Sequence, residues 1–175
     1  FVHDEYLPTF GLDSENRPIR DQKIRNMKDV AIIRMNDDFG SLVRIPKIDF
    51  EGKYLAAGTK VEFCGYGLIS NEVGQAPPEI LRCADSQISG VAYGFLNIFI
   101  TDPTKRYLFS AAAPADSGGP VFVKNQNSTE RTLVAINRSQ IELGDPSDNL
   151  YISEHTTIRG ISSWLRQFVP ENSSI

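Results

Sequence analysis

Short apolar runs, each ended by glycine, proline or polar turn residues, recur along most of this chain of 175 residues. The clearest run alternates polar and apolar residues from Thr59 to Cys64, and Gly65-Tyr66-Gly67 then predicts a turn or bulge. Several short strands separated by turn residues are typical of an all-β sandwich or barrel. We interpret as strands the residues 30–35 (which we expect to be buried), 41–45, 59–64, 80–84 and 86–88 together as one strand, 120–123 and 132–136.

The C-terminal part and one N-terminal segment depart from this strand pattern. Near the C-terminus the apolar residues follow a helical period, with Thr156 or Thr157 as the candidate N-cap. The polar residues 7–26 predict a long loop, and loops of that length are usually functional or mobile. The residues at helical spacing are Ile158, Ile161, Trp164, Leu165 and Phe168.

Charge and composition exclude several classes of function. The chain has 18 basic and 22 acidic residues, a net charge of −4, and no long basic run, so we expect neither nucleic acid nor an anionic membrane as a partner. No apolar stretch approaches the roughly 20 residues that span a bilayer. With only two histidines and two cysteines, Cys64 and Cys83, we expect no metal site and no cofactor.

Three Asn-X-Ser/Thr triplets make Asn127, Asn137 and Asn172 candidate glycosylation sites. Such triplets also arise by chance, but three in a chain of this size favour a secreted protein. The two cysteines permit one internal disulfide.

The hexapeptide Ala115–Pro120 (Ala-Asp-Ser-Gly-Gly-Pro) is the feature that most directly indicates chemistry. Glycines beside Ser117 let the backbone approach a substrate carbonyl, and neighbouring amide groups can point at one oxygen. The alternative interpretation is an ordinary surface turn before the strand at 121–123.

Four further blocks of sequence, in order along the chain, resemble the same protein family as this hexapeptide. Together they resemble the trypsin/chymotrypsin-like serine proteases, whose fold is a double β-barrel. The resemblance implies the remainder of the first barrel with a long loop at 1–54, a second barrel bearing the nucleophile at 55–157, and a C-terminal helix and tail at 158–175. The blocks are residues 28–33, 58–60 with 64–67, 78–83, and 155–165.

The resemblance also assigns catalytic roles. It makes Ser117 the nucleophile and Asp29 the residue that orients the base. The amide groups of Ala115 and Ser117 would form the oxyanion hole, and Asp116 would pair with the N-terminus released on zymogen activation. Cys64 and Cys83 fall on strands that the resemblance makes neighbours, which predicts that they are bonded; the alternative for Cys64 is a reduced core position.

The specificity pocket follows from the same resemblance. Ala111 and Ala112 would lie at its base, where they offer no charge to a basic substrate side chain. We therefore expect cleavage after small or apolar residues. Ser139, or Arg138 if the register slips by one, would lie on the strand edge that pairs with substrate.

The sequence departs from the family at two important positions. Nothing matches the segment with the catalytic histidine; we expect His3 to be a surface or loop residue and His155 to pack rather than act as base. Ala115 stands where the family usually has glycine, so its β-carbon could strain the turn. The chain is therefore expected to begin inside the first barrel and to need an N-terminal companion chain of the same protease that carries the histidine.

Three hypotheses follow. The first is the serine-bearing chain of a secreted serine endopeptidase acting on protein or peptide substrates. The second is a homologue impaired in catalysis that serves as a binding or regulatory module. The third, an unrelated β-barrel binding protein with a coincidental serine turn, does not account for the ordered blocks.

Overall fold

The structure, a computed structural model, describes residues 30–36, 46–68, 79–92, 95–100, 112–113, 115–124, 130–143 and 150–169. The strands in these ranges are β1 (Lys47–Ile48), β2 (Lys60–Gly65), β3 (Arg82–Gln87), β4 (Gly90–Ala92), β5 (Phe95–Ile100), β6 (Pro120–Lys124), β7 (Arg131–Leu143) and β8 (Leu150–Thr157). A 3₁₀ turn (Arg159–Ile161) and helix α1 (Ser162–Leu165) follow β8.

All eight strands belong to one sheet in the order β3-β2-β6-β7-β8-β5-β4, and β1 pairs with β7 outside that order. The pairing is antiparallel along the whole order, whereas β1 runs parallel to β7. Among the described residues no ladder joins β3 to β4, so the order has two ends. The prediction of an all-β chain with a C-terminal helix is confirmed.

Strand β2 shows why the predicted alternation gives a central strand. Val61 and Phe63 pack in the first apolar cluster, while Glu62 between them is also buried. Strands β6 and β7 supply its counter-charges, because Lys124 Nζ lies 2.6 Å and Arg131 Nη2 2.7 Å from its carboxylate oxygens. A buried carboxylate requires such partners.

The predicted disulfide is confirmed. Cys64 and Cys83 lie directly opposite each other in the β2–β3 ladder, and their Cα atoms are 4.1 Å apart. Cys64 is therefore not a reduced core position. Because both sulfurs are bonded to each other, neither is a thiolate that could help the nearby Glu62 bind a metal ion.

The core consists of two apolar clusters. The first lies beneath β2, β6 and β7, and it includes Phe63, Val121 and Val134. The second gathers the C-terminal residues Ile158, Ile161, Trp164 and Leu165. Val30, Ile32, Ile48 and Phe50 pack against this second cluster.

The C-terminal helix is shorter than the apolar spacing predicts. Ile161 N–H donates to the Ile158 carbonyl, so the first turn is 3₁₀ rather than α-helical. Residues three apart lie on the same side of either helix type, which is why the apolar face is preserved. Of the two candidate caps, Thr157 takes part, since its Oγ1 accepts a hydrogen bond from Gly160 N–H at 3.0 Å.

Two strand predictions and one loop prediction need comment. Residues 30–35 are not a buried strand, because only Ala31 forms a bridge, and Ile33 and Met35 are 83% and 57% exposed. The apolar pattern indicated that both faces should be covered, and the described residues cover only one of them. The sequence interpretation missed β4 and β5, and the predicted strand at 41–45 and loop at 7–26 lie outside the described residues.

Within the part of the chain that the structure describes, no helix has the length and apolar character needed to cross a membrane.

Candidate active site

The serine lies on a tight loop that leads into β6. Asp116 N–H donates to the Ala113 carbonyl at 3.1 Å, and Gly119 N–H donates to the Asp116 carbonyl at 3.0 Å. Gly118 has φ +86°, a conformation that glycine adopts without steric cost. These two turns leave the Ser117 side chain exposed at the crest of the loop.

The Asp116 carboxylate points back into the protein and holds the loop. Its Oδ2 accepts a hydrogen bond from Ala113 N–H at 2.8 Å, and its Oδ1 accepts one from Gly67 N–H at 2.7 Å. A β-carbon at Gly65 or Gly67 would collide with this carboxylate, so the Gly-Tyr-Gly turn is the surface that Asp116 requires. Hydrogen bonds to an ionised carboxylate are among the stronger ones, which makes this a firm anchor.

Ala115 adopts the backbone conformation that the serine loop demands. It has φ +72° and is the only residue other than glycine with positive φ among those described. For an L-residue this conformation costs about 1 to 2 kcal/mol. The strain expected from the sequence is thus present in the turn that would form the oxyanion hole.

The amide groups of Ala115 and Ser117 have no hydrogen-bond acceptor within the described residues. Both residues lie on the exposed side of the loop. These are the two groups that the resemblance assigns to the oxyanion hole.

Ser117 itself is bonded to a backbone group. Its Oγ donates to the Arg138 carbonyl at 3.0 Å. Arg138 lies at a bulge in the β7–β8 ladder, between the paired residues Asn137 and Ser139. The structure therefore brings Arg138, the alternative in the predicted register, next to Ser117 through its carbonyl oxygen.

The side chains on this part of β7 form a charged pair. Arg138 Nη1 lies 3.2 Å from Glu154 Oε2, and Ser139 Oγ donates to the same oxygen at 3.4 Å. The guanidinium and the carboxylate are only 14% and 22% exposed. Glu154 is thus already paired with groups of this chain.

His155 is fully buried, as the sequence interpretation favoured. Its Nε2 lies 2.7 Å from Ser153 Oγ and its Nδ1 lies 2.9 Å from Asn137 Oδ1. Burial lowers the pKa of His155 to about 3. Because both ring nitrogens are occupied and the ring has no exposed surface, His155 cannot take a proton from Ser117.

A buried polar chain was missed by sequence reasoning. It runs from Ala112 N–H through Ser153, His155 and Asn137 to the Cys64 carbonyl. Ser153 and His155 are two residues apart on one strand and therefore share a face, which is the signal that could have indicated their contact.

Asn137 is a poor glycosylation candidate. Its side chain is 3% exposed, its Oδ1 is bonded to His155, and its Nδ2 donates to the Cys64 carbonyl at 3.3 Å. The amide that a glycan would modify is therefore inaccessible in the fold, and the expectation for this triplet needs correction.

Of the remaining predicted site residues, the structure describes one. Ala112 is described and buried, and its backbone N–H is bonded to Ser153 Oγ at 3.3 Å. The others, Asp29, Ala111, His3, Asn127 and Asn172, lie outside the described residues.

The model of the trypsin family matches residues 13–165. Together with the all-β fold and the serine loop, this match shows that the chain belongs to the trypsin family, a family of serine peptidases. A search of curated protein sequences finds no similar sequence.

Proposed function

We propose that this chain is the serine-bearing part of a secreted serine endopeptidase. The observation that carries the proposal is the loop itself: Ser117 is exposed, Asp116 anchors the turn, and the amide groups of Ala115 and Ser117 have no acceptor among the described residues. A nucleophile beside two unused amide donors is the arrangement that acyl transfer requires.

The reaction would proceed by acyl transfer. Ser117 Oγ attacks the carbonyl carbon of the substrate peptide and gives its proton to a histidine, while the two amide groups bind the oxyanion. The histidine then donates that proton to the leaving amine as the peptide bond breaks. Water attacks the acyl-enzyme in the second half and restores the serine. For the first step the Ser117 hydroxyl must rotate from the Arg138 carbonyl, which now accepts its hydrogen bond, toward the histidine.

We infer that the histidine comes from an N-terminal companion segment of the same protease. His155 is excluded as the base by its burial and its two hydrogen bonds. Apolar side chains cover one face of residues 30–35, and Ile33 and Met35 leave the other face exposed. In the sequence, Asp29 directly precedes this segment.

The proposal extends to specificity and processing. Cleavage after small or apolar residues is supported by Ala112 and by Glu154, whose carboxylate is already paired with Arg138 and Ser139. Secretion is supported by the disulfide, which persists in oxidising compartments. Zymogen activation through Asp116 and glycans at Asn127 and Asn172 are further parts of the proposal.

A catalytically impaired homologue is the second candidate. It is favoured by the strained Ala115 and by the Ser117 hydroxyl, whose proton is directed at a backbone carbonyl. Under this alternative the same fold would serve as a binding or regulatory module.

Serine-directed labelling separates the two candidates. The chain, joined to its histidine-bearing segment, is treated with a fluorophosphonate, and the mass of the labelled peptide is determined. We expect labelling at Ser117, its complete loss in Ser117→Ala, and no change in the control Ser163→Ala, whose exposed serine lies on α1. Strain at Ala115 could slow the reaction by about 100-fold without abolishing it. Absence of label after long incubation favours the impaired homologue.

A further inference from the structure

One buried side chain, His155, is connected to the stretch that precedes Ser117. Ser153 Oγ accepts a hydrogen bond from Ala112 N–H at 3.3 Å and lies 2.7 Å from His155 Nε2. Ala112 adjoins Ala113, whose backbone holds Asp116 from both its N–H and its carbonyl. This first arm therefore reaches the entry of the serine loop.

The other ring nitrogen of His155 is connected to the stretch that follows Ser117. Its Nδ1 lies 2.9 Å from Asn137 Oδ1. The backbone of Asn137 accepts a hydrogen bond from Gly118 N–H and donates one to the Gly119 carbonyl, both at 2.8 Å. A β-carbon at Gly119 would collide with the Asn137 amide, so this second arm fits closely against the exit of the loop.

The direction of each hydrogen bond in the chain is determined by its ends. Asn137 Nδ2 donates to the Cys64 carbonyl, which cannot donate in return, so Asn137 Oδ1 must accept from His155 Nδ1. The proton is then on Nδ1, and Nε2 accepts from the Ser153 hydroxyl. The arrangement fits a neutral imidazole in one tautomer, and every polar group in this hydrogen-bonded series has a partner.

The surroundings of His155 are closed to solvent. Ser153 and His155 have no exposed surface, Asn137 is 3% exposed, and the imidazole lies 6.1 Å from the Phe63 ring. Removing one partner would leave a buried polar group unsatisfied, which is unfavourable because that group has no water to replace the lost hydrogen bond. The hydrogen-bonded series from Ala112 N–H to the Cys64 carbonyl therefore keeps both arms at a fixed separation.

We propose that His155 is a positioning residue that holds the entry and exit of the serine loop together and thereby sets the position of Ser117. The consequence for catalysis rests on the proposed function, whereas the mechanical connection does not. A displacement of the nucleophile by about 1 Å can lower the rate of reaction by about 100-fold. His155 thus acts through Ser153 and Asn137 and touches no substrate.

Hydrogen exchange tests the connection without requiring activity. His155→Phe retains a ring but neither nitrogen, and we expect protection of the Gly118 and Asn137 amides to fall by about 10-fold or more relative to the Ile158 amide. The Ile158 amide, bonded to the Val134 carbonyl, reports the stability of the surrounding core. Thr156→Val is the matched control on the same strand, because Thr156 Oγ1 is buried without a partner among the described residues.

A second variant keeps the test decisive should His155→Phe fail to fold. Ser153→Ala removes only the first arm, yet we expect Gly118, on the other side of Ser117, to lose protection. An equal fall at all amides, or a change confined to Ala112, would overturn the proposal.

Labelling then tests the consequence for catalysis. In the chain joined to its histidine-bearing segment, Ser153→Ala should lower the rate of fluorophosphonate labelling by about 10- to 100-fold while Thr156→Val leaves it unchanged. A wild-type rate in Ser153→Ala would contradict the positioning role. If the wild-type protein itself does not label, the proposed function fails, and the exchange experiment still decides the connection.

Discussion

The serine loop and the segment at residues 30–35 differ in how completely the described residues provide contacts for their side chains. Around the loop, Asp116 and Asn137 have hydrogen-bond partners for their buried side-chain atoms. In the segment, Val30 and Ile32 pack in the core while Ile33 and Met35 are exposed. The contrast teaches that the side chains that hold the nucleophile have their partners among the described residues, whereas those residues leave one apolar face of the segment at 30–35 exposed.

Paired truncations of buried and exposed isoleucines should reveal this contrast most strongly. Ile161→Ala removes a fully buried side chain, and we expect it to lower the free energy of unfolding by about 4 kcal/mol. Ile33→Ala, at an 83% exposed position, should change it by less than about 0.5 kcal/mol. Urea unfolding of the chain by itself provides both values. A large loss for Ile33→Ala would mean that this face is already covered within the chain.

Acid should destabilise the loop-bearing part through His155. The unfolded chain binds a proton on this histidine below about pH 6.5, but the folded chain binds it only below about pH 3. Stability from the neutral ring is therefore complete above pH 6.5 and declines as the pH falls toward 3. Between pH 7 and pH 4 we expect a loss of roughly 3 kcal/mol from this group.

The His155 contribution can be isolated by comparison with His155→Phe. Urea unfolding of both proteins at pH 7, 5 and 4 removes the contribution of the carboxylates that they share. We expect the difference in stability between them to shrink as the pH falls. A constant difference would contradict the assignment of a buried, neutral imidazole.

Apart from the Ile33→Ala control, the smallest effect is expected at Ala115. Because φ is +72°, Ala115→Gly relieves strain, which is partly offset by the greater freedom of glycine in the unfolded chain. We expect a net gain of about 0.5 to 1 kcal/mol in the free energy of unfolding. Ala113→Gly, in the same loop but without positive φ, should instead be destabilising. Two changes of the same sign would show that strain at Ala115 does not decide the outcome.

What could be predicted from the sequence was mainly local. The serine turn depends on a hexapeptide, and β2 depends on a run of alternating residues, so neither needs information from distant parts of the chain. The Cys64–Cys83 pair followed from the resemblance, and the ladder between β2 and β3 confirms it. Family membership likewise follows from blocks that keep their order.

What could not be predicted depends on register between distant segments. Asn137 is paired with His155 in the β7–β8 ladder, and the register shifts directly after this pair at Arg138, which no local sequence pattern predicts. For residues 30–35 the apolar pattern indicated burial on both faces, whereas the described residues cover one face, which depends on contacts with distant segments. Strand β5 (Phe95–Ile100) is an apolar run, but its residues show no clear alternation of polar and apolar side chains that would predict a strand.

The central claim is that this chain supplies a ready nucleophile and that another segment supplies the base. Its most direct test is the rate of fluorophosphonate labelling at Ser117, measured while the histidine-bearing segment is added at increasing concentration. We predict a rate that rises and saturates with the wild-type segment, and binding without labelling when the histidine of the segment is replaced by alanine. The same rate with and without the segment, or no labelling at saturation, would contradict the account.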